Sequence, residues 1–149
     1  GRNDIGRVCA FHSVKVTDLM YVERYSHVMH LVSNVTGELL EDRNAFDLMR
    51  AIFPGGSITG APKIRAAEII AELEGEARGP YCGSLAWFGI DGAMDASILI
   101  RSIACDHDGA SWRTRLRAGA GIVADSIPAD EAEECLSKAS AALGAFSGA

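Results

Sequence analysis

Apolar and polar positions change period several times along this chain, and each change marks an element. Residues 8–16, VCAFHSVKV, alternate well enough for a strand. A short polar helix or turn is expected at 17–25, then a second strand at 27–35, where His30 shares a face with Val28 and Val32. Residues 44–53 predict a helix ended by Pro54, and 61–73 another, amphipathic through Ile64, Ala67, Ile70 and Leu73. An aromatic-rich strand is expected at 81–89. Asp91-Gly92 signals a hairpin, and 96–104, ASILIRSIA, reads as a strand buried on both faces. Asp108-Gly109 signals another hairpin. Residues 118–138 read as a buried strand, a glycine-rich crossing, and a helix with Pro128 in its first turn. The expected class is α+β: a mostly antiparallel sheet covered by amphipathic helices, rather than alternating βαβ units.

Within the last helix, Glu131, Glu134 and Lys138 are spaced i, i+3, i+7 and fall on one stripe. Ala132, Cys135, Leu136, Ala139 and Leu143 form the adjacent apolar stripe. Two carboxylates and an amine on one edge suit a hard cation and an anionic substrate. The same spacing also describes a solvated face with an ordinary Glu134–Lys138 pair. His30 is open in the same way, as a satisfied core residue or as a general acid or base. Arg101 lies inside an apolar run, where a buried guanidinium calls for a carboxylate partner. Gly119 and Gly121 flank Ala120, so the backbone there can approach another group closely. The loop 54–63, PGGSITGAPK, carries Ser57 and Thr59 on a turn whose amides can face an anion. It is not a Walker A loop, because Ala61-Pro62 stands where Lys-Ser/Thr is required.

Composition narrows the setting. The 149 residues suggest one domain, and 48% hydrophobic residues with a mean hydropathy of +0.11 can fill a core. A net charge of −6 and a pI near 5.1 argue against nucleic acid as a partner. No apolar run is long enough to cross a bilayer. Cys9, Cys82, Cys105 and Cys135 are scattered without metal spacing, as expected of small buried hydrophobes in a reducing, cytoplasmic compartment. The chain opens at Gly1 inside what reads as a turn, so a piece of a longer protein is expected.

Five stretches together resemble the chorismate-utilising enzymes: GRND at 1–4, VERYSHVMHLVSNVTG at 22–37, PGGSITGAPKIRA at 54–66, MDASILIRS at 94–102 and AGAGIVADSIPADEAEE at 118–134. The resemblance implies the C-terminal part of the chorismate-binding fold across 1–149. It assigns His30 as the active-site histidine and Tyr81 and Arg101 as substrate-binding residues. Gly119, Ala120 and Gly121 match the strand whose amides hold a substrate carboxylate. Glu131 matches a catalytic carboxylate that also faces the metal, Glu134 a Mg²⁺ ligand and Lys138 a cation in the same site. Ser57 and Thr59 border the pocket. The loop wording and Tyr81-Cys-Gly-Ser84 look most like aminodeoxychorismate synthase component I, which replaces the C4 hydroxyl of chorismate with ammonia for p-aminobenzoate and folate synthesis. Anthranilate synthase component I, of tryptophan synthesis, is the alternative. The implied partners are chorismate and a glutamine amidotransferase that supplies ammonia. Ala86-Trp87 and the basic run at 113–117 depart from the family pattern. Members of the family are longer and carry further metal carboxylates upstream, so these residues alone are expected to be inactive. A binding module without catalysis is the remaining reading.

Overall fold

Hairpins set the architecture, and helices fill the connections between them. The structure, a computed structural model, describes residues 1–24 and 29–146. A short α1 (Arg2–Ile5) leads to β1 (Lys15–Arg24), which pairs antiparallel with β2 (Met29–Thr36). Glu23 stands opposite His30, and Tyr21 opposite Val32. The register slips between Val16 and Tyr21. Met20 has a φ of +53° there, and its amide donates to Ser33 Oγ at 3.0 Å. The polar helix or turn expected at 17–25 is therefore strand up to Arg24, because pairing with β2 outweighs local polarity. His27, Val28 and Tyr25 lie outside the described residues. The strand expected at 8–16 begins only at Lys15. Cys9 makes a single bridge with Leu39, and His12, at φ +65°, turns the chain between them.

The helix at 44–53 forms as α2 (Ala45–Ile52) and begins with a capping box. Asn44 Oδ1 accepts from the amides of Phe46 and Asp47, and the Asn44 amide donates to Asp47 Oδ2 at 3.1 Å. After α3 (Gly56–Thr59), α4 (Lys63–Glu74) starts at Pro62 and ends at Gly75, whose φ of +66° is the usual helix exit. Of the stripe expected to anchor α4, only Ile70 is half-buried, while Ile64 and Leu73 are 78% and 81% exposed.

The two remaining hairpins are β3 (Ser84–Phe88) with β4 (Met94–Ile98), and β5 (Ile103–His107) with β6 (Trp112–Leu116). Asp108 caps the second turn. The amides of Ser111 and Ala110 donate to its carboxyl and hold it below the usual carboxylate range. Residues 96–104 are not one buried strand. Leu99 pairs back with Cys82 and Gly83, Arg101 takes a left-handed φ of +53°, and the chain leaves β4 for β5. The expected buried strand at 118–123 is also absent. No described strand lies beside it, and Ile122 and Val123 are exposed. The last element is α5 (Pro128–Gly144).

Among the described residues, only Val8, Cys9 and Ala51 form a buried apolar core, flanked by Ile5, Val14 and Leu48. Beneath them lies the buried carboxylate of Asp4, paired with Lys63 Nζ at 2.9 Å and Arg7 Nη2 at 3.2 Å. The surface is large for the mass. The chain exposes 11,222 Å², against about 7,300 Å² for a folded monomer of this size by general scaling.

Candidate active site

Helix α5 places the acidic stripe. Its covered side runs through Glu131, Cys135, Lys138, Ala139 and Ala142, all half-buried, at helical spacing. Leu136 and Leu143, expected on the apolar stripe, instead face outward at 71% and 53% exposure. Glu131 and Lys138 thus take positions that a simple amphipathic helix would fill with leucine. Glu134 lies at the edge of this face and pairs with Lys138 at 2.5 Å, realising the i, i+4 pair.

Lys138 has a second partner. Its Nζ donates to the Gly119 carbonyl at 3.3 Å and ties α5 to the glycine-rich stretch. On the other side of Gly119 lies Tyr81, whose hydroxyl would be only 2.7 Å from a Cβ at that position. A side chain there would push on the Tyr81 hydroxyl, so glycine permits this close approach. Burial pushes the Tyr81 phenol up to about 12, aided by the neighbouring Cys82 thiol, so it stays a neutral hydrogen-bond donor across the physiological range. Half-buried Ala120 follows, and Gly121 opens onto free space.

Tyr81 is connected to Arg101 through the backbone. The Cys82 amide donates to the Leu99 carbonyl at 2.9 Å and the Leu99 amide to the Gly83 carbonyl at 3.0 Å, two residues before Arg101. Arg101 is exposed rather than buried, and its Nη1 meets an imidazole rather than a carboxylate, lying 2.8 Å from His30 Nε2. The left-handed backbone at Arg101 breaks the strand and lets its side chain reach β2. Contacts thus join His30 to Arg101 at one end, and Tyr81, Gly119, Lys138 and Glu134 at the other, with the Cys82–Leu99 backbone pairing between the two groups.

Glu131 is held separately. Ser126 Oγ donates to Glu131 Oε1 at 2.5 Å, and Glu131 Oε2 is buried with no hydrogen-bond partner among the described residues. Ser57 and Thr59 are not drawn in. Thr59 spends its hydroxyl on its own turn, donating to the Gly55 carbonyl at 3.2 Å, and Ser57 is exposed. Among the described residues, no hydrogen bond or ion pair links either to Glu131, Glu134 or Lys138. Their loop is anchored instead through Lys63 to Asp4 and to the Ile52 carbonyl.

Three residues escaped the sequence reading. Ser126 and Asp4 act through partners five and 59 positions away, and no local period marks such pairs. Arg78 lies 5.6 Å over the Tyr81 ring while bound to Glu74, beside a 260 Å³ cavity also lined by Arg115 and Arg117. Those two arginines are bound to Asp106 and Glu76, so the cavity walls are already neutralised.

Comparison with known proteins gives a consistent picture. The profile of the chorismate binding enzymes matches residues 1–144. The chain is 55% identical over 148 residues to anthranilate synthase component 1 of Synechocystis, covering 98% of this chain and 29% of that protein. It is 49% identical over 138 residues to aminodeoxychorismate synthase component 1 of Bacillus subtilis, covering 93% and 28%. In three dimensions it matches anthranilate synthase component I of Streptococcus pneumoniae with a TM-score of 0.80 at 42% identity, over 95% of this chain and 32% of that one. The chain spans less than a third of the length of these relatives.

Proposed function

Because the chain belongs to the family of chorismate binding enzymes, we propose that it supplies the C-terminal part of a site that aminates chorismate. The observation that carries this reading is the buried, unpartnered Oε2 of Glu131, one helical turn from the Glu134–Lys138 pair. A carboxylate oxygen without a donor is costly in a dry site and suits a ligand that brings a proton or a cation.

Each residue then has a task set by its chemistry. Chorismate carries two carboxylates. Arg101 offers one of them a planar fork, and Lys138 offers the other a point charge above the Gly119 backbone. Tyr81 adds a neutral donor beside Gly119. Glu131 Oε2 handles the proton at the ring hydroxyl. While Arg101 donates to His30 Nε2, that atom is an acceptor. Once Arg101 turns to a carboxylate, this donor leaves Nε2 and the imidazole can take part in proton transfer.

Mg²⁺ fits this donor set in part. Glu134 and Glu131 are hard oxygen ligands, and an ion held mainly by Glu134 would give the buried Glu131 carboxylate a nearby counter-charge. No group of three His, Cys, Asp or Glu side chains gathers among the described residues, so Mg²⁺ would keep water and take a substrate oxygen to fill its shell. Bound there, the ion would neutralise the substrate carboxylate against these two glutamates.

Of the two products, anthranilate is favoured by the 55% identity to an anthranilate synthase component. The second reading, aminodeoxychorismate, draws on the loop at 54–63 and on the 49% identity to the Bacillus subtilis protein. Ammonia from a glutamine amidotransferase partner belongs to either. The test is a graft in which this chain replaces the matching segment of the Synechocystis protein, incubated with chorismate, Mg²⁺ and ammonium. Chromatography is expected to show anthranilate. Aminodeoxychorismate would select the second reading, and a folded graft that leaves chorismate untouched would overturn both.

A further inference from the structure

We infer that Ser126 is the positioning residue for Glu131, and that it fixes which carboxylate oxygen meets the ligand. The inference rests on the amination reading only in taking Glu131 as the group that touches substrate or metal.

The geometry around Ser126 leaves its hydroxyl one direction. The Ser126 amide donates to the Val123 carbonyl at 3.1 Å and closes a turn just before α5. Across that turn the Val123 amide donates to Ser126 Oγ at 3.0 Å. With a lone pair engaged by Val123, the hydroxyl proton goes to Glu131 Oε1, 2.5 Å away. Glu131 is fixed at its own backbone too, where its amide donates to the Ile127 carbonyl at 3.1 Å.

A free glutamate has two equivalent oxygens and a broad terminal torsion. Here the two differ: Oε1 is held by Ser126, and Oε2 is buried without a partner. The turn therefore presents a single carboxylate oxygen at a set angle. Without the hydroxyl, the carboxylate is free to swing and both oxygens become equivalent. Such a support lowers the population of the productive geometry when lost, and binding contacts made by other residues are untouched.

Three graft proteins test this, carrying serine, alanine or threonine at 126. Ser126→Ala is expected to lower kcat about 10- to 100-fold, the range typical of a lost supporting hydrogen bond, with little change in KM for chorismate. Ser126→Thr keeps the hydroxyl and is expected to recover most of the rate. An unchanged kcat in Ser126→Ala, or equal losses in both folded variants, would overturn the inference. A second measurement stands apart from turnover: carbon-13 spectra of the side-chain carboxyls in the 149-residue chain itself. Ser126→Ala should move the Glu131 signal and leave that of Glu134 in place. An unmoved Glu131 signal would sink the proposal even if the threonine variant failed to fold. Absence of turnover in the serine graft would count against the amination reading, while the carboxyl signal would still judge Ser126.

Discussion

Arg101 Nη1 lies 2.8 Å from His30 Nε2, joining residues 71 positions apart. A guanidinium only donates, so Nε2 must carry the lone pair and Nδ1 the proton. Nitrogen-15 spectra of the chain should therefore show Nε2 as the unprotonated ring nitrogen. Arg101→Met removes this donor and should move the Nε2 signal. A mixture already present in the unmodified chain would mean that the contact does not persist in solution.

Gly119 and Tyr81 should be coupled. A Cβ at 119 would stand 2.7 Å from the Tyr81 hydroxyl but 3.9 Å from its ring carbon, which is ordinary contact. Gly119→Ala alone should destabilise by about 1–3 kcal/mol through overpacking. Adding Tyr81→Phe removes the colliding oxygen and should recover most of that loss. A double-mutant cycle in urea measures it, and simple additivity would contradict the packing described.

Asp4 should matter more than any surface acid. Its buried carboxylate holds Lys63 and Arg7, and Arg7 also donates to the Ala51 carbonyl at 2.6 Å. Asp4→Ala leaves these cations facing each other without their counter-charge and should cost about 3–5 kcal/mol. Lys63→Met, which leaves Arg7 on Asp4, should cost less. Urea midpoints rank the two.

The end of α4 should carry a small acid-sensitive contribution. Arg78 is hydrogen-bonded to Glu74 through two nitrogens and holds its carboxyl below the ordinary value of 4.5. A lowered carboxylate pKa stabilises the fold above the ordinary value and loses that effect as pH falls through the folded one. The pair is partly exposed, so the effect should be about 0.5 kcal/mol. Glu74→Gln should flatten that step in a melting-temperature profile taken between neutral pH and acid.

Elements whose signals are local were legible in the sequence. The helix stop at Pro54, the turns at Gly92 and Gly109, and Pro128 at the start of α5 each act within a few residues. The periodic signals fared worse where the apolar face finds no partner. Ile64, Leu73, Leu136 and Leu143 follow helical spacing yet face outward, and Ile122 and Val123 are exposed and lie in no described strand. Periodicity reports which face is apolar, not whether anything covers it. That exposed area should bind a hydrophobic dye, and a dye-silent chain would contradict it. At the site, spacing put Glu131, Glu134 and Lys138 on one stripe with a solvated face as the other reading, and the fold pairs Lys138 with Glu134 and with the Gly119 carbonyl. The long-range contacts of Arg101 with His30 and of Tyr81 with Gly119 needed three dimensions.

The most direct test of the central claim is the rate of chorismate consumption by the graft with Glu131 or with Glu131→Gln. The amide keeps the size of the side chain and the acceptor for Ser126, but it cannot ionise or shuttle a proton. The account predicts that the glutamine graft folds with an unchanged melting temperature and loses about 100-fold or more in kcat. Equal rates in the two proteins would contradict it.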